Sequence, residues 1–404
     1  MFRKGPLFIQ FGEEKIEMET KEDKLTVPEL SDFPNEILAL IFQHLRFPDR
    51  LRMSAVCRRW NQLVFAFFGD RIMLHLNAST DCSVPIGRLS DRSYRNVQVF
   101  WTEDSSGWMD AVEDLAPKLL SLDLYIMPEE RGFLAKWNPP PSLMEQFLRI
   151  LANLESLGTL FINTTPTTFG AVLEAIHDLT NLATLMVEIR IDDGSFALSS
   201  FNGLCRLPKL RAVSICSYVP LCAPGKDRLV PAPFVESLTL EQYSPCFSIL
   251  NFYKLFPCLT KLDVRQVEMD PEELELVVVT WPALEVLVIG LNSSLLNTTA
   301  LEMLQQLPKL RKLELQTQVY CTDECIEFDF LQASFYLLET IFQIPTLEEL
   351  RLVHGPVAGI WWSGQIPTDA PSCRLYINGI YVPRTNDGPS FKCDASEEGT
   401  AIMS

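Results

Sequence analysis

The chain has 404 residues, 47% of them hydrophobic and 21% charged, a balance that suits folded domains and excludes a chain disordered throughout. Its formal net charge of −18 disfavours attraction to phosphate backbones, so no nucleic-acid partner is expected. No run approaches the roughly 18 apolar residues of a membrane-spanning helix, and Glu13, Glu14, Lys15 and Glu17 interrupt the N-terminus early. Neither a membrane association nor a secretory signal is expected.

The 11 cysteines are odd in number, scattered, and contain no paired CxxC motif. Cys321 and Cys325 lie four apart, but the chain has only 4 histidines and the nearest, His354, is far along the sequence. The cysteines read as packing thiols rather than metal ligands, and their scatter predicts a reducing compartment, cytoplasmic and/or nuclear. Sequons beginning at Asn77, Asn163, Asn292 and Asn297 read as chance matches.

Residues 1–27 are polar and mixed in charge, a flexible leader. From Leu30 the pattern becomes helical. Pro34 suits a helix start, Glu36 favours the positive end of the dipole, and Ile37, Leu38, Ile41, Phe42 and Leu45 follow at helical spacing. Pro48-Asp49 ends this helix and starts another containing Leu51, Met53, Ala55 and Val56. A third holds Trp60, Leu63, Val64 and Phe67. Three short helices in about 40 residues bury little alone and need a partner surface or an adjoining domain.

Beyond residue 90 an apolar-x-x-Leu-x-apolar pattern recurs. Its middle positions are Val97, Leu122, Leu160, Leu185, Val213, Leu238, Leu262, Leu287, Leu313, Leu350 and Leu375, mostly about 25 residues apart. Pro117, Pro208, Pro233, Pro257, Pro282, Pro308 and Pro345 each stand two residues before the first apolar position, where proline stops a helix and admits a strand. Asp270-Pro271-Glu272-Glu273 reads as a capped helix start, with Leu274, Val277 and Val278 facing the core. Phe169, Val172, Leu173 and Ile176 form an equivalent stripe, as do Leu301, Leu304 and Leu307.

The residues of 30–70 resemble the F-box. Phe33-Pro34-Asn35-Glu36-Ile37-Leu38 is similar to the family's opening Leu-Pro-x-Glu-Ile-Leu, and Asp49 to Val56 followed by Cys57-Arg58-Arg59-Trp60 matches its second half in register. Phe33 replaces the usual Leu, and Arg50 stands where an apolar residue is common. The resemblance implies docking to a Skp-family adaptor and, through it, to cullin and RING subunits of a ubiquitin ligase. It carries the adaptor contacts onto Phe33, Pro34, Ile37, Leu38, Ile41, Leu45, Val56, Cys57 and Trp60. About half of these are expected to touch the partner and the rest to pack the helices.

The repeat period resembles that of leucine-rich-repeat proteins. The resulting fold class is α/β: a three-helix F-box followed by an irregular leucine-rich-repeat solenoid, with parallel strands on the concave face and helices on the convex face. Irregularity is expected because the family's Asn or Cys ladder position is filled only once, by Asn292. The predicted boundaries are a leader at 1–27, an F-box at 28–70, a connector at 71–90, about 11 strand units over 91–382, and a polar tail at 383–404.

Strand residues between the inward leucines point to the concave face. Among them Phe100, Tyr125, Phe161, Arg265 and Arg351 are candidate substrate-binding residues, joined by Trp361 and Trp362 in a Gly-rich loop near the C-terminus. Two long repeats, about Met127–Pro141 with Trp137 and about Tyr320–Gln343, are further candidates for recognition. No P-loop, GxSxG or HExxH occurs, so no catalytic residue, metal or cofactor is assigned. The expected function is that of a non-enzymatic substrate receptor of an SCF-type ubiquitin ligase, with an unknown protein substrate. The competing reading is a cytosolic repeat scaffold or inhibitor without ligase association.

Overall fold

The computed structural model describes residues 30–77, 94–101, 107–126, 140–190, 196–219, 221–222, 228–242, 249, 252–267, 269–291, 295, 298–317, 340–353, 373–377 and 379–382. The chain divides into two compact units, Met1–Val64 and Phe65–Ser404.

In the first unit a short 3-10 turn at Leu30–Asp32 leads into α1 (Asn35–Gln43), α2 (Phe47–Ser54) and α3 (Arg58–Phe68), the last running past the division. Pro34 immediately precedes α1, and its carbonyl accepts from the Ile37 and Leu38 N–H groups at 3.1 Å each. Pro48 lies in the first turn of α2, where a missing N–H costs no helical bond. Leu38, Ala39, Phe42, Leu63 and Val64 are buried. Phe42 meets Trp60 edge to face, with ring centroids 5.2 Å apart.

The second unit alternates strands and helices. In chain order it contains β1 (Met73–Asn77), β2 (Asn96–Trp101), α4 (Gly107–Leu115), β3 (Ser121–Ile126), α5 (Pro141–Ala152), β4 (Thr159–Thr164), α6 (Pro166–Ile176), β5 (Thr184–Ile189), β6 (Phe196–Ala197), β7 (Ala212–Ser217), β8 (Leu221–Cys222), β9 (Ser237–Gln242), β10 (Lys261–Val264), α7 (Pro271–Thr280), β11 (Val286–Leu291), α8 (Thr298–Glu302), β12 (Lys312–Thr317), β13 (Glu349–Val353), β14 (Arg374–Ile377) and β15 (Ile380–Val382). One sheet of 13 strands runs β1-β2-β3-β4-β5-β7-β9-β10-β11-β12-β13-β14-β15, while β6 and β8 pair separately. Its first 12 strands are parallel, and β15 closes the edge antiparallel to β14. This is the strand–helix solenoid of leucine-rich repeats.

The middle apolar positions form one unbroken register. Leu74 pairs with Val97, and the row continues through Leu122, Leu160, Leu185, Val213, Leu238, Leu262, Leu287, Leu313, Leu350 and Leu375. From Val97 onward every member is at least 98% buried. A one-residue slip in any strand would send its leucines to solvent, so the hydrophobic pattern fixes the pairing.

The recurrent prolines sit in a particular place. Leu210, Val235, Leu284, Leu310 and Leu347 each donate their N–H to the carbonyl three residues back, at 3.1–3.3 Å. Pro208, Pro233, Pro282, Pro308 and Pro345 therefore occupy the second position of β-turns, whose φ proline pre-sets. Each proline thus builds the turn that delivers the chain to the next strand, as well as ending what precedes it.

Helical content between strands is uneven. α7 has the capping box read from sequence: Asp270 accepts from the Glu273 N–H at 2.8 Å, and the Glu273 carboxylate accepts from the Asp270 N–H at 3.4 Å. Leu274, Val277 and Val278 are buried beneath it. By contrast, Leu198–Arg206 is a 3-10 helix, and α8 tightens into 3-10 turns at Met303–Gln306.

Three features depart from the predicted boundaries. The connector at 71–90 is interrupted, because Met73–Asn77 is a strand of the sheet. Among the described residues the parallel strands number 12 rather than about 11. The sheet ends with β15 antiparallel to β14, and Gly379 just before β15 has φ 81°, a left-handed conformation that favours glycine. Trp137, most of both long repeats, Trp361, Trp362 and the tail after 383 lie outside the described residues.

Candidate functional site

Two surfaces carry the candidate residues. The first is on the helical unit. The 3.6-residue period divides the apolar residues of α1 into two stripes. Leu38, Ala39 and Phe42 form the buried one. Ile37, Leu40 and Ile41 form the other, exposed by 40%, 55% and 38%. Leu30, Phe47 and Val56 add further exposed apolar surface on the same unit. Large apolar side chains at that exposure on a small helical unit mark a surface meant to be covered.

The predicted adaptor contacts separate accordingly. Pro34, Ile37, Ile41, Val56 and Cys57 are exposed; Phe33, Leu45 and Trp60 are half-buried. Leu38 is fully buried and belongs to the helical core. Sequence reading missed Leu30, Leu40 and Phe47 as surface candidates. Leu40 was within reach, since it lies three residues from Ile37 and shares its side of the helix.

Two arginines hold this surface in shape. Arg50 donates from Nε to the Phe42 and Leu45 carbonyls at 3.0 Å each, and from Nη2 to the Gln43 carbonyl at 2.8 Å. It thereby adds a donor to the carbonyls at the C-terminus of α1, of which that of Phe42 also accepts from the Leu45 N–H at 3.1 Å, and favours the negative end of the dipole. Arg59 donates to Asn35 Oδ1 at 2.9 Å and to the Phe33 carbonyl at 2.5 Å, tying α3 to the start of α1.

The second surface is the sheet face opposite the leucine register. Along it the register aligns His75, Gln98, Asp123, Phe161 and Met186 on adjacent strands β1 to β5. Phe100 and Tyr125 pair two residues further on and stack at 5.1 Å with planes 18° apart. Tyr125 also lies 4.6 Å from Phe161, inclined by 33°. The three predicted aromatics thus form one shelf of half-buried rings. His75 Nδ1 is 2.6 Å from Gln98 Oε1, and Gln98 in turn hydrogen-bonds Tyr125.

Asp123 sits in the midst of these groups. Partial burial pushes its carboxyl above the ordinary aspartate value, with the charge of His75 acting in the opposite direction. Burial and then the charge of Asp123 push the Tyr125 phenol up as well. Among the described residues Asp123 has no ion-pair or hydrogen-bond partner.

Four other acids on this face differ in this respect. Glu188 is 3.2 Å from Arg190. Asp263 receives Arg265 through two bonds of 2.6 and 2.9 Å, and Arg265 also reaches Glu314 at 3.3 Å. The buried Glu349 faces Arg351 at 2.7 Å, Arg374 at 3.5 Å and Lys312 at 3.8 Å, linking three strands. Arg351 also lies over Tyr376 at 5.4 Å. Candidate Arg265 is therefore committed within the sheet, while Arg351 is partly committed and keeps exposed surface.

On this face Cys216 is the register partner of Glu188. The Cys216 thiol is pushed up to about 11, first by burial and then by Glu188 and Glu241, so it stays protonated at neutral pH. Asn163, one of the sequon asparagines, is 1% exposed and inaccessible to a glycan. Among the described residues no helix is long and apolar enough to cross a membrane, and no group of three or more His, Cys, Asp or Glu is arranged to hold a metal ion.

Residues 30–67 match the F-box-like family, and this segment is an F-box-like domain. No curated protein sequence matches the chain. Among solved structures, the mouse RP105/MD-1 complex contains a chain similar over 72% of this one at 14% identity and a TM-score of 0.31. This chain spans about half of it, 53%. The complex of Rad7 and Elc1 in yeast contains a chain similar over 84% of this one and 92% of its own length, at 16% identity and a TM-score of 0.36.

Proposed function

We propose that this chain is the substrate-recognition subunit of an SCF-type ubiquitin ligase. The helical unit docks a Skp-family adaptor, which links it to cullin and RING subunits, and the open sheet face holds a target protein. The chain itself is non-catalytic: it supplies proximity, and partner subunits supply ubiquitin transfer. The observation that carries this reading is the second apolar stripe of α1, exposed at Ile37, Leu40 and Ile41 within an F-box-like domain whose core is already filled by Leu38 and Phe42. Burying one such large side chain contributes about 1.5–3 kcal/mol, so a few of them suffice for a stable interface.

The test is co-purification from cells. The full chain is expected to recover endogenous Skp adaptor and cullin, and an Ile37→Asp, Val56→Asp double variant to recover neither. Equal recovery by that variant would remove these side chains from the interface. Absence of adaptor and cullin from the wild-type preparation would favour a scaffold or inhibitor acting without a ligase.

A further inference from the structure

Among the described residues, Asp123 is an open-face carboxylate with no arginine or lysine within ion-pair distance, and the charge acting on it is that of His75. Glu188, Asp263, Glu314 and Glu349 each have an arginine within ion-pair distance. Asp123 has none among the described residues, although burial already disfavours its charge. A carboxylate so placed gains when a cation arrives, because desolvation has been met and the partner is missing.

Its surroundings say which cation. The register sets Asp123 directly opposite Phe161 on one side and Gln98 on the other. Tyr125, two residues along the same strand, links the Phe100 and Phe161 rings into the shelf. Among the described residues, the end rings Phe100 and Phe161 have no other ring partner, so each keeps a face outside the stack. Aromatic faces attract cations through their quadrupole. A planar guanidinium can lie on a ring and offer a fork of N–H donors to a carboxylate at once, which a lysine ammonium cannot do.

We infer that Asp123, Phe161 and the Phe100–Tyr125 pair form a subsite for an arginine side chain presented by a target polypeptide. The inference rests on the substrate-receptor reading and names one chemical element of the target. The charge balance of the chain agrees with a basic partner: the formal net charge is −18, and the next acidic position along this face is Glu188. Gln98 supports the site through its bonds to His75 and Tyr125, which fix the orientation of the phenol beside the carboxylate.

The probe is a set of immobilised, acetylated heptapeptides with neutral randomised flanks and arginine, lysine or citrulline at the centre. Citrulline keeps the planar shape of arginine and removes its charge. The full-length chain is expected to prefer arginine over citrulline by about tenfold, with lysine between them. Asp123→Asn should abolish the preference, and Phe161→Ala should reduce it. Equal retention on arginine and citrulline, or an arginine preference unchanged in Asp123→Asn, would overturn the subsite. Adaptor recovery by the Asp123→Asn chain serves as the folding control. Because adaptor recovery is read separately, loss of the ligase reading and loss of the subsite give different results.

Discussion

Arg50 Nε donates to the Phe42 carbonyl at 3.0 Å, so a residue of α2 closes the helix that precedes it. The F-box pattern commonly has an apolar residue at this position. Here the guanidinium instead binds three main-chain carbonyls, of Phe42, Gln43 and Leu45. Charge-assisted bonds of this kind contribute about 1.5–3 kcal/mol each when buried and less when partly exposed. Arg50→Leu is therefore expected to loosen α1 by about 1–3 kcal/mol in total. Hydrogen exchange of the Leu38 to Phe42 amides measures this, and unchanged protection would show that the clamp contributes nothing.

The two stripes of α1 predict opposite phenotypes. Leu38→Ala removes a fully buried side chain and is expected to cost about 2–5 kcal/mol of stability. Ile37→Asp changes a side chain already 40% exposed and is expected to alter stability by less than about 1 kcal/mol while abolishing adaptor recovery. Denaturant unfolding and co-purification on the same two proteins separate these effects. Loss of stability in both would place Ile37 in the core.

Much of this architecture was legible because one physical rule repeats. Leu122 and Leu160 occupy one register position although a long insertion separates them, as do Leu313 and Leu350. The leucine spacing located both pairs because the strand, not the loop, sets which side chain enters the core. β1 was missed because Met73-Leu74-His75-Leu76-Asn77 has no proline turn before it and carries a histidine in its centre. The antiparallel β15 was missed although Asn378-Gly379 between Ile377 and Ile380 is a strong turn signal in the sequence. In the candidate site, alternation identified Phe100, Tyr125 and Phe161 as facing the same way. It did not reveal that Arg265 is committed to Glu314, since a partner on another strand follows from register rather than from local sequence; Asp263, two residues before Arg265, was within local reach.

The antiparallel end of the sheet gives a third expectation. Gly379 has φ 81°, and no heavy atom would meet an added Cβ within 4 Å. The cost of Gly379→Ala is then conformational alone, about 1–2 kcal/mol, without a steric clash. It should appear as faster hydrogen exchange across Ile380–Val382, with β9 to β11 unaffected. Uniform acceleration through the sheet would instead mean that β15 supports the whole repeat array.

Asp123 gives a fourth expectation, in which stability and binding move apart. Its folded carboxyl lies above the ordinary value of 3.8, because burial penalises the charge more than His75 relieves it. The folded chain therefore holds this proton more tightly than the unfolded chain does. By linkage the ionised group opposes folding at neutral pH, and that penalty disappears as pH falls through the raised folded value toward 3.8. The charged or titratable neighbours are His75 on β1 and Tyr125 on its own strand, and Glu188 on β5 acts on Tyr125. Asp123→Asn should leave stability at neutral pH unchanged or higher and flatten this part of the acid limb. Arginine-peptide binding by the wild-type chain should weaken over the same fall in pH, because the protonated carboxyl no longer attracts a cation. Thermal melts of the two proteins from neutral to acidic pH, read beside peptide retention, test both halves. Marked destabilisation of Asp123→Asn at neutral pH would show that the carboxylate holds the fold together, and the case for its waiting on an incoming arginine would fail.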